Sequence, residues 1–187
     1  MNATDTTDTT IADRYRRLSR QLSATLDDVP AGSWSAPTPC EGWAAQDVLG
    51  HVVETNRDFL GRHTDLEPAS GELRADWEAV RALTQTILDD GRGEESFQGF
   101  FGPTTIAEVL DRFYGMDLLV HRWDIARATG LTQHQTLDDA DAAHYLEVAS
   151  SLGDALRMDG VCGPEVPAPD DATAGERLLA FLGREPR

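Results

Sequence analysis

The chain contains no lysine: all 16 of its basic residues are arginine, set against 33 Asp and Glu, for a formal net charge of −17 in 187 residues. So little positive charge excludes duplex nucleic acid as a partner, because a phosphate-binding face works through a basic patch that releases counterions. Anionic membrane surfaces are excluded on the same ground. Cysteine is scarce as well. Cys40 and Cys162 are too few for a disulfide framework, and in the cytoplasm, where the chain is expected to reside, both are reduced. Long apolar runs are missing too, none approaching the roughly 18 residues of a membrane-spanning helix. The opening MNATDTTDTT is polar and acidic, without the basic and apolar regions of a secretory signal. The arginine-only basic set, with abundant Ala and Asp, reads as codon pressure from a GC-rich genome.

What is present suits one globular domain with a real core. Hydrophobic residues make up 40% of the chain and mean hydropathy is −0.39. At roughly 100–200 residues per domain, a single domain is expected over 11–187, preceded by a disordered leader over 1–10. A domain this long buries roughly 70% of its extended surface, so folding alone requires neither metal nor disulfide.

The elements expected are all helical. Ile11, Tyr15, Leu18, Leu22 and Leu26 recur at three and four, predicting a helix over 11–28. A loop punctuated by Pro30, Gly32, Pro37 and Pro39 carries Trp34 and Trp43, which implies that it lies packed on the domain. Further helices are predicted over 44–63, 71–90, 104–129 and 137–158, with Thr104 or Thr105 and Glu108 as a capping signal and Gly130 as a left-handed C-cap. A Pro-rich extended tail and a short helix over 173–182 complete residues 160–187. No strand alternation is found. The fold class expected is all-α: an up-and-down four-helix bundle with a fifth long helix region and a short C-terminal helix.

One helix face breaks the pattern. On a wheel of about 100° per residue, Asp117, His121 and Asp124 fall in the same sector as Ile106, Val109, Leu110, Phe113, Val120 and Ala128. Isolated carboxylates on a buried face cost several kcal/mol unless paired or metal-bound. Asp117 and His121 are four apart and point the same way from adjacent turns, a two-ligand arm for a divalent cation. Of the four other histidines, His51 alone sits mid-helix beside an apolar stripe, that of Val48 and Val52. On spacing alone two readings stay open. One is a metal triad; the other is a set of local hydrogen bonds in which Arg122 and Arg127 neutralise Asp124 and no metal binds. Cys40 has no neighbour that would lower its pKa and reads as a small buried residue under the Trp34–Trp43 loop.

Three phrases carry a resemblance: Trp34-x-x-Pro37-Thr38-Pro39-Cys40-x-Gly42-Trp43, then Asp47-Val48-Leu49-Gly50-His51, then Asp117-x-x-x-His121-x-Trp123-Asp124-x-Ala126-x-Ala128-x-Gly130. Together they resemble the mycothiol-dependent maleylpyruvate isomerase N-terminal-domain family, within the DinB/YfiT-like superfamily of metal-binding four-helix bundles. The tail phrase Phe181-Leu182-Gly183-Arg184 is similar to that of its short single-domain actinobacterial members. The resemblance implies three ligands for zinc or nickel, carried over to His51, Asp117 and His121. Asp117 departs from the Glu or His usual at its position; it is shorter by one methylene and still suits zinc.

Three protein ligands leave a coordination position open, which the resemblance assigns to a low-molecular-weight thiol, mycothiol. The implied function is a metal-dependent thiol S-transferase or related detoxification enzyme acting on a small electrophile. The alternative is a non-catalytic metal- or ligand-binding bundle with a sensor or regulatory role. Asp124 and Glu54 are then expected to orient a ligating imidazole or accept a proton, and Arg122 and Arg127 to bind an anionic part of thiol or substrate. Residues after Gly130 suffice for one long helix and a tail, so isomerisation, which uses a second C-terminal domain, is not expected. A homodimer is expected from the pairing of exposed bundle faces in similar proteins.

Overall fold

The computed structural model describes residues 10–158 and 160–187. Of the expected leader over 1–10, all but Thr10 lies outside them. Helix α1 (Ile11–Asp28) begins where the Thr10 hydroxyl accepts from the Asp13 amide at 3.1 Å. It buries Tyr15, Leu18, Leu22 and Leu26, four of the five residues of the stripe read from the sequence, with Ile11 partly exposed at its start. Helix α2 (Ala45–Leu60) starts where the Asp47 carboxylate accepts from the Ala44 amide at 2.8 Å, an anion at the positive end of the helix dipole. Helix α3 (Leu73–Asp89) is entered through a loop whose Ser70 and Gly71 amides donate to the buried Asp76.

Between α3 and the next helix the structure corrects the all-loop expectation. Strands β1 (Ser96–Gly99) and β2 (Gly102–Thr105) pair antiparallel, Ser96 opposite Thr105 and Gly99 opposite Gly102, with Phe100 and Phe101 at the turn. Gly102 follows at φ +117°, a conformation that L side chains rarely adopt. Four-residue strands holding Gly and Pro carry too little alternation to be read from sequence; turn geometry makes them.

The long fourth helix is also not what a regular wheel assumes. It runs from α4 (Ile106–Val109), capped by a Thr105–Glu108 box, through a π-helical stretch (Leu110–Gly115) into α5 (Met116–Ala128). The wider π turn shifts the phase between its two ends. Ile106 and Leu110 pack in a cluster with Phe59, Val80 and Ile87, whereas Phe113, Asp117, Val120 and His121 of the expected sector line one cavity. Helix α5 is buried over most of its circumference, including Leu118, Leu119, Trp123 and Ile125, while Asp117 keeps 29% of its side chain exposed. Gly115 closes the π stretch against Tyr145: a Cβ there would collide with the tyrosine hydroxyl.

Helix α6 (Asp139–Leu152) starts at Asp138, whose side chain accepts from the Ala140 and Asp141 amides, and continues as a 3-10 stretch, Gly153–Arg157. Helix α7 (Ala174–Phe181) follows the extended tail. Helix α1 packs on α3 and α5, and α2 on the same two, so α1 and α2 face each other across a four-helix bundle. The α6–α7 pair lies beside α5. Trp77, Trp123 and Tyr145 are the largest fully buried side chains of the core. At about 25 cal/mol per Å² of apolar surface removed from water, such side chains dominate the driving force for folding. No helix among the described residues is long and apolar enough to cross a membrane.

Candidate functional site

His51 projects from the middle of α2, Asp117 from the first turn of α5, and His121 from the next turn of the same helix. The packing of α2 on α5 brings them together. His51 Nε2 lies 3.7 Å from Asp117 Oδ2, and the imidazoles of His51 and His121 sit edge to face with centroids 5.2 Å apart. One ligand atom from each of the three lies within 4.8 Å of the other two. A tetrahedral divalent cation with bonds of about 2.0–2.1 Å holds its ligand atoms roughly 3.4 Å apart. The triad fits such an ion with small side-chain adjustments. Two neutral imidazoles and one carboxylate are the donor chemistry that zinc, nickel or iron accepts.

Behind the triad stands a second row of polar contacts. His121 Nδ1 lies 2.9 Å from Asp124 Oδ2. With the carboxylate accepting the Nδ1 proton, the lone pair falls on Nε2, the other ring nitrogen. Asp124 is completely buried, and burial works to raise its pKa. The His121 hydrogen bond and the Arg184 guanidinium outweigh that effect and hold it at about 2. Arg184 donates from Nε and Nη2 to the two oxygens of Asp124 at 3.0 and 2.8 Å, and from Nη1 to the Leu182 carbonyl. The Cys40 thiol completes the shell, 3.3 Å from Asp124 Oδ2. Burial first, then the Asp124 charge, pushes its pKa to about 12, so it remains a neutral donor.

Cys40, His121 and Asp124 also converge closely enough to count as a possible ligand group. A cation does not fit there, because the Arg184 guanidinium already occupies the space, with Nη2 3.4 Å from the Cys40 sulfur. The His51–Asp117–His121 side is different. It forms the floor of a cavity of about 930 Å³, walled by Pro39–Trp43, α5, the end of α6 and the Leu182–Arg184 tail.

Three residues expected at the site lie elsewhere, at odds with the roles their positions suggested. Arg122 is buried, but it points away from Asp124 and donates to the carbonyls of His134 and Thr136 at 2.5 and 2.9 Å. Two residues apart on a helix means roughly 200° of rotation, which is why it cannot neutralise that carboxylate. Arg127 is exposed and reaches Gln135. Glu54 is exposed on α2, outside the cavity wall. The cation on Asp124 is Arg184, which sequence reasoning missed. Its signals were the tail phrase Phe181-Leu182-Gly183-Arg184 and one charge closing the apolar run from Leu178 to Gly183, neither of which points to Asp124.

The comparisons with known proteins agree with the motifs. An uncharacterized protein of Mycobacterium tuberculosis strain H37Rv, Rv0738, is 31% identical over 180 residues, spanning 92% of this chain and 97% of its own. A second from that strain, Rv0036c, is 28% identical over 158 residues, 69% of this chain and 60% of its own. No solved structure matches the chain at a significant level. The family model for the mycothiol maleylpyruvate isomerase N-terminal domain matches residues 15–126, a stretch that holds His51, Asp117, His121 and Asp124. The chain belongs to that family.

Proposed function

We propose that this protein holds a divalent cation, zinc or nickel, on His51, Asp117 and His121, and uses it in the cytoplasm to activate a low-molecular-weight thiol for transfer to a small electrophile. The thiol is mycothiol, in keeping with the family. The observation that carries the reading is the convergence of three ligand atoms from two helices on the floor of an open cavity. A divalent cation with an open coordination position lowers the pKa of a thiol that reaches it, so that the thiolate is available at neutral pH.

The protein's own residues supply the setting. Asp124 fixes the tautomer and ring orientation of His121, and Arg184 keeps Asp124 ionised in its buried place. The chain's own sulfurs are unsuited to the role of nucleophile. The pKa of Cys40 is pushed to about 12 and that of Cys162 is raised as well, in both cases by burial before anything else. A thiol acting here therefore comes from outside. In the transfer, its sulfur forms a C–S bond to the electrophilic carbon. The leaving group departs with the electron pair of the broken bond, and the thiol proton passes to solvent.

Incubation of zinc-loaded protein with mycothiol and a panel of electrophiles, followed by mass spectrometry of the adducts, tests the reading. Wild type is expected to form adducts faster than buffer does, and His51→Ala at the buffer rate. Equal rates for wild type and His51→Ala would remove transfer from this site.

A further inference from the structure

Among the described residues, six large apolar side chains are exposed: Trp43, Leu73, Phe100, Phe101, Met158 and Val161. Singly scattered, such residues need no explanation. These are not scattered. All but Leu73 line the cavity above His51, Asp117 and His121. Phe101 and Met158 are each 57% exposed and Val161 55%, and they come from the β1–β2 turn and the segment after α6, far apart in sequence. Trp43 joins rim to floor, its ring centroid 5.0 Å from that of His51.

The charges of the cavity wall define the occupant further. Two arginines line it, Arg157 and Arg184. Arg184 is held by Asp124 and the Leu182 carbonyl. Arg157 donates to the carbonyls of Gly163 and Phe181 at 2.5 and 2.6 Å and lies over the Phe181 ring. Arg184 is charge-paired with Asp124, and Arg157 uses two of its five N–H donors on those carbonyls. The acidic groups of the wall are Glu41 and Asp117, in a chain of net charge −17. In the metal-free protein a carboxylate or phosphate entering this mouth meets two wall carboxylates and the field of an acidic chain, with Arg157 as the one wall arginine not paired with a carboxylate among the described residues.

We propose that the electrophile is uncharged and apolar, an aromatic or branched alkyl body seated on Phe101, Met158 and Val161 with its reactive carbon toward the floor. This deepens the thiol-transfer reading and rests on it for the occupant's being an electrophile and for the thiolate's filling the cation's open position; the preference of the metal-free wall for a neutral apolar body stands apart from that reading.

The test is a fluorescence titration of the full-length, metal-free protein with two arylamine probes that differ by a sulfonate, N-phenyl-1-naphthylamine and 8-anilino-1-naphthalenesulfonate. The neutral probe is expected to bind at least about 10-fold more tightly than the anionic one. Val161→Asp and Met158→Asp, both at exposed positions, are each expected to weaken it about 10-fold. Ser150→Asp, exposed on α6 and outside the cavity wall, is expected to leave it unchanged. Equal or tighter binding of the sulfonate overturns the proposal, as does neutral-probe binding indifferent to both aspartates. Sedimentation that shows a dimer dissociated by Val161→Asp also overturns it, by assigning the patch to a second copy. Failure of the chain to bind zinc would defeat the thiol-transfer reading and leave these binding results standing, so the two failures are told apart.

Discussion

Arg184 clamps Asp124 with two hydrogen bonds, at 3.0 and 2.8 Å, across 60 residues of sequence, and so ties the C-terminal tail to the residue that orients His121. Removing one partner of a buried ion pair leaves the other charge without compensation. Arg184→Met is therefore expected to lower unfolding stability by about 3–5 kcal/mol, read by urea denaturation. Arg184→Met with Asp124→Asn is expected to recover most of that loss. A single-variant loss under about 1 kcal/mol would mean that the pair is solvated or that the tail sits elsewhere.

Asp124→Asn retains a carbonyl for the His121 Nδ1 proton but loses the negative charge that makes the imidazole a better donor. Zinc affinity is expected to fall about 10–100-fold, measured by competition with a chromophoric chelator. Unchanged affinity would separate Asp124 from the triad.

Cys40 lies half-buried against Asp124, with its pKa raised to about 12 by burial and by that carboxylate. At pH 8 the thiolate is then roughly one part in 10⁴, against about a quarter for a free thiol of pKa about 8.5. Native protein is expected to react with iodoacetamide at Cys40 at least about 100-fold more slowly than urea-unfolded protein, followed by peptide mass spectrometry. Equal rates would place a reactive thiolate beside Arg184.

Gly115 lets the Tyr145 ring approach the end of the π-helical stretch. Gly115→Ala forces that contact apart at an expected cost of about 1–3 kcal/mol. Because the stretch leads directly into Asp117, weaker zinc binding is expected alongside the lower melting temperature.

Glu176 accepts from Arg187 and from the Thr173 amide at the start of α7. These bonds, the Arg187 contact first, hold its carboxyl at about 2. The stabilisation is complete above the unfolded pKa of about 4.3 and is lost as pH falls toward 2. Protection factors of the α7 amides, intrinsic over observed exchange rate at each pH, should fall over that window in wild type. Glu176→Gln should exchange faster already at neutral pH and show no such acid step.

Much of this was legible in the sequence, and what was not has identifiable causes. The stripe of α1 and the i,i+4 spacing of Asp117 and His121 are local, so periodicity reads them without knowledge of the fold. His51 was found because it sits mid-helix beside the Val48–Val52 stripe and falls on a ligand position of the family motif. The π-helical stretch was invisible, because a wheel of fixed step cannot register a wider turn; the grouping of Asp117 with Leu110 was its casualty. The β1–β2 hairpin left no alternation over two four-residue strands. Arg184 shares no element with Asp124, and only the fold joins them. The placement of α1 opposite α2 is likewise set by long-range packing and by nothing local.

Metal content tests the central claim most directly. Protein loaded with zinc and dialysed is expected to retain about one ion per chain, as is Glu54→Ala, while His51→Ala and His121→Ala retain fewer than about 0.2. Wild-type protein holding fewer than about 0.2 ions, or His51→Ala holding as many as wild type, would contradict the account.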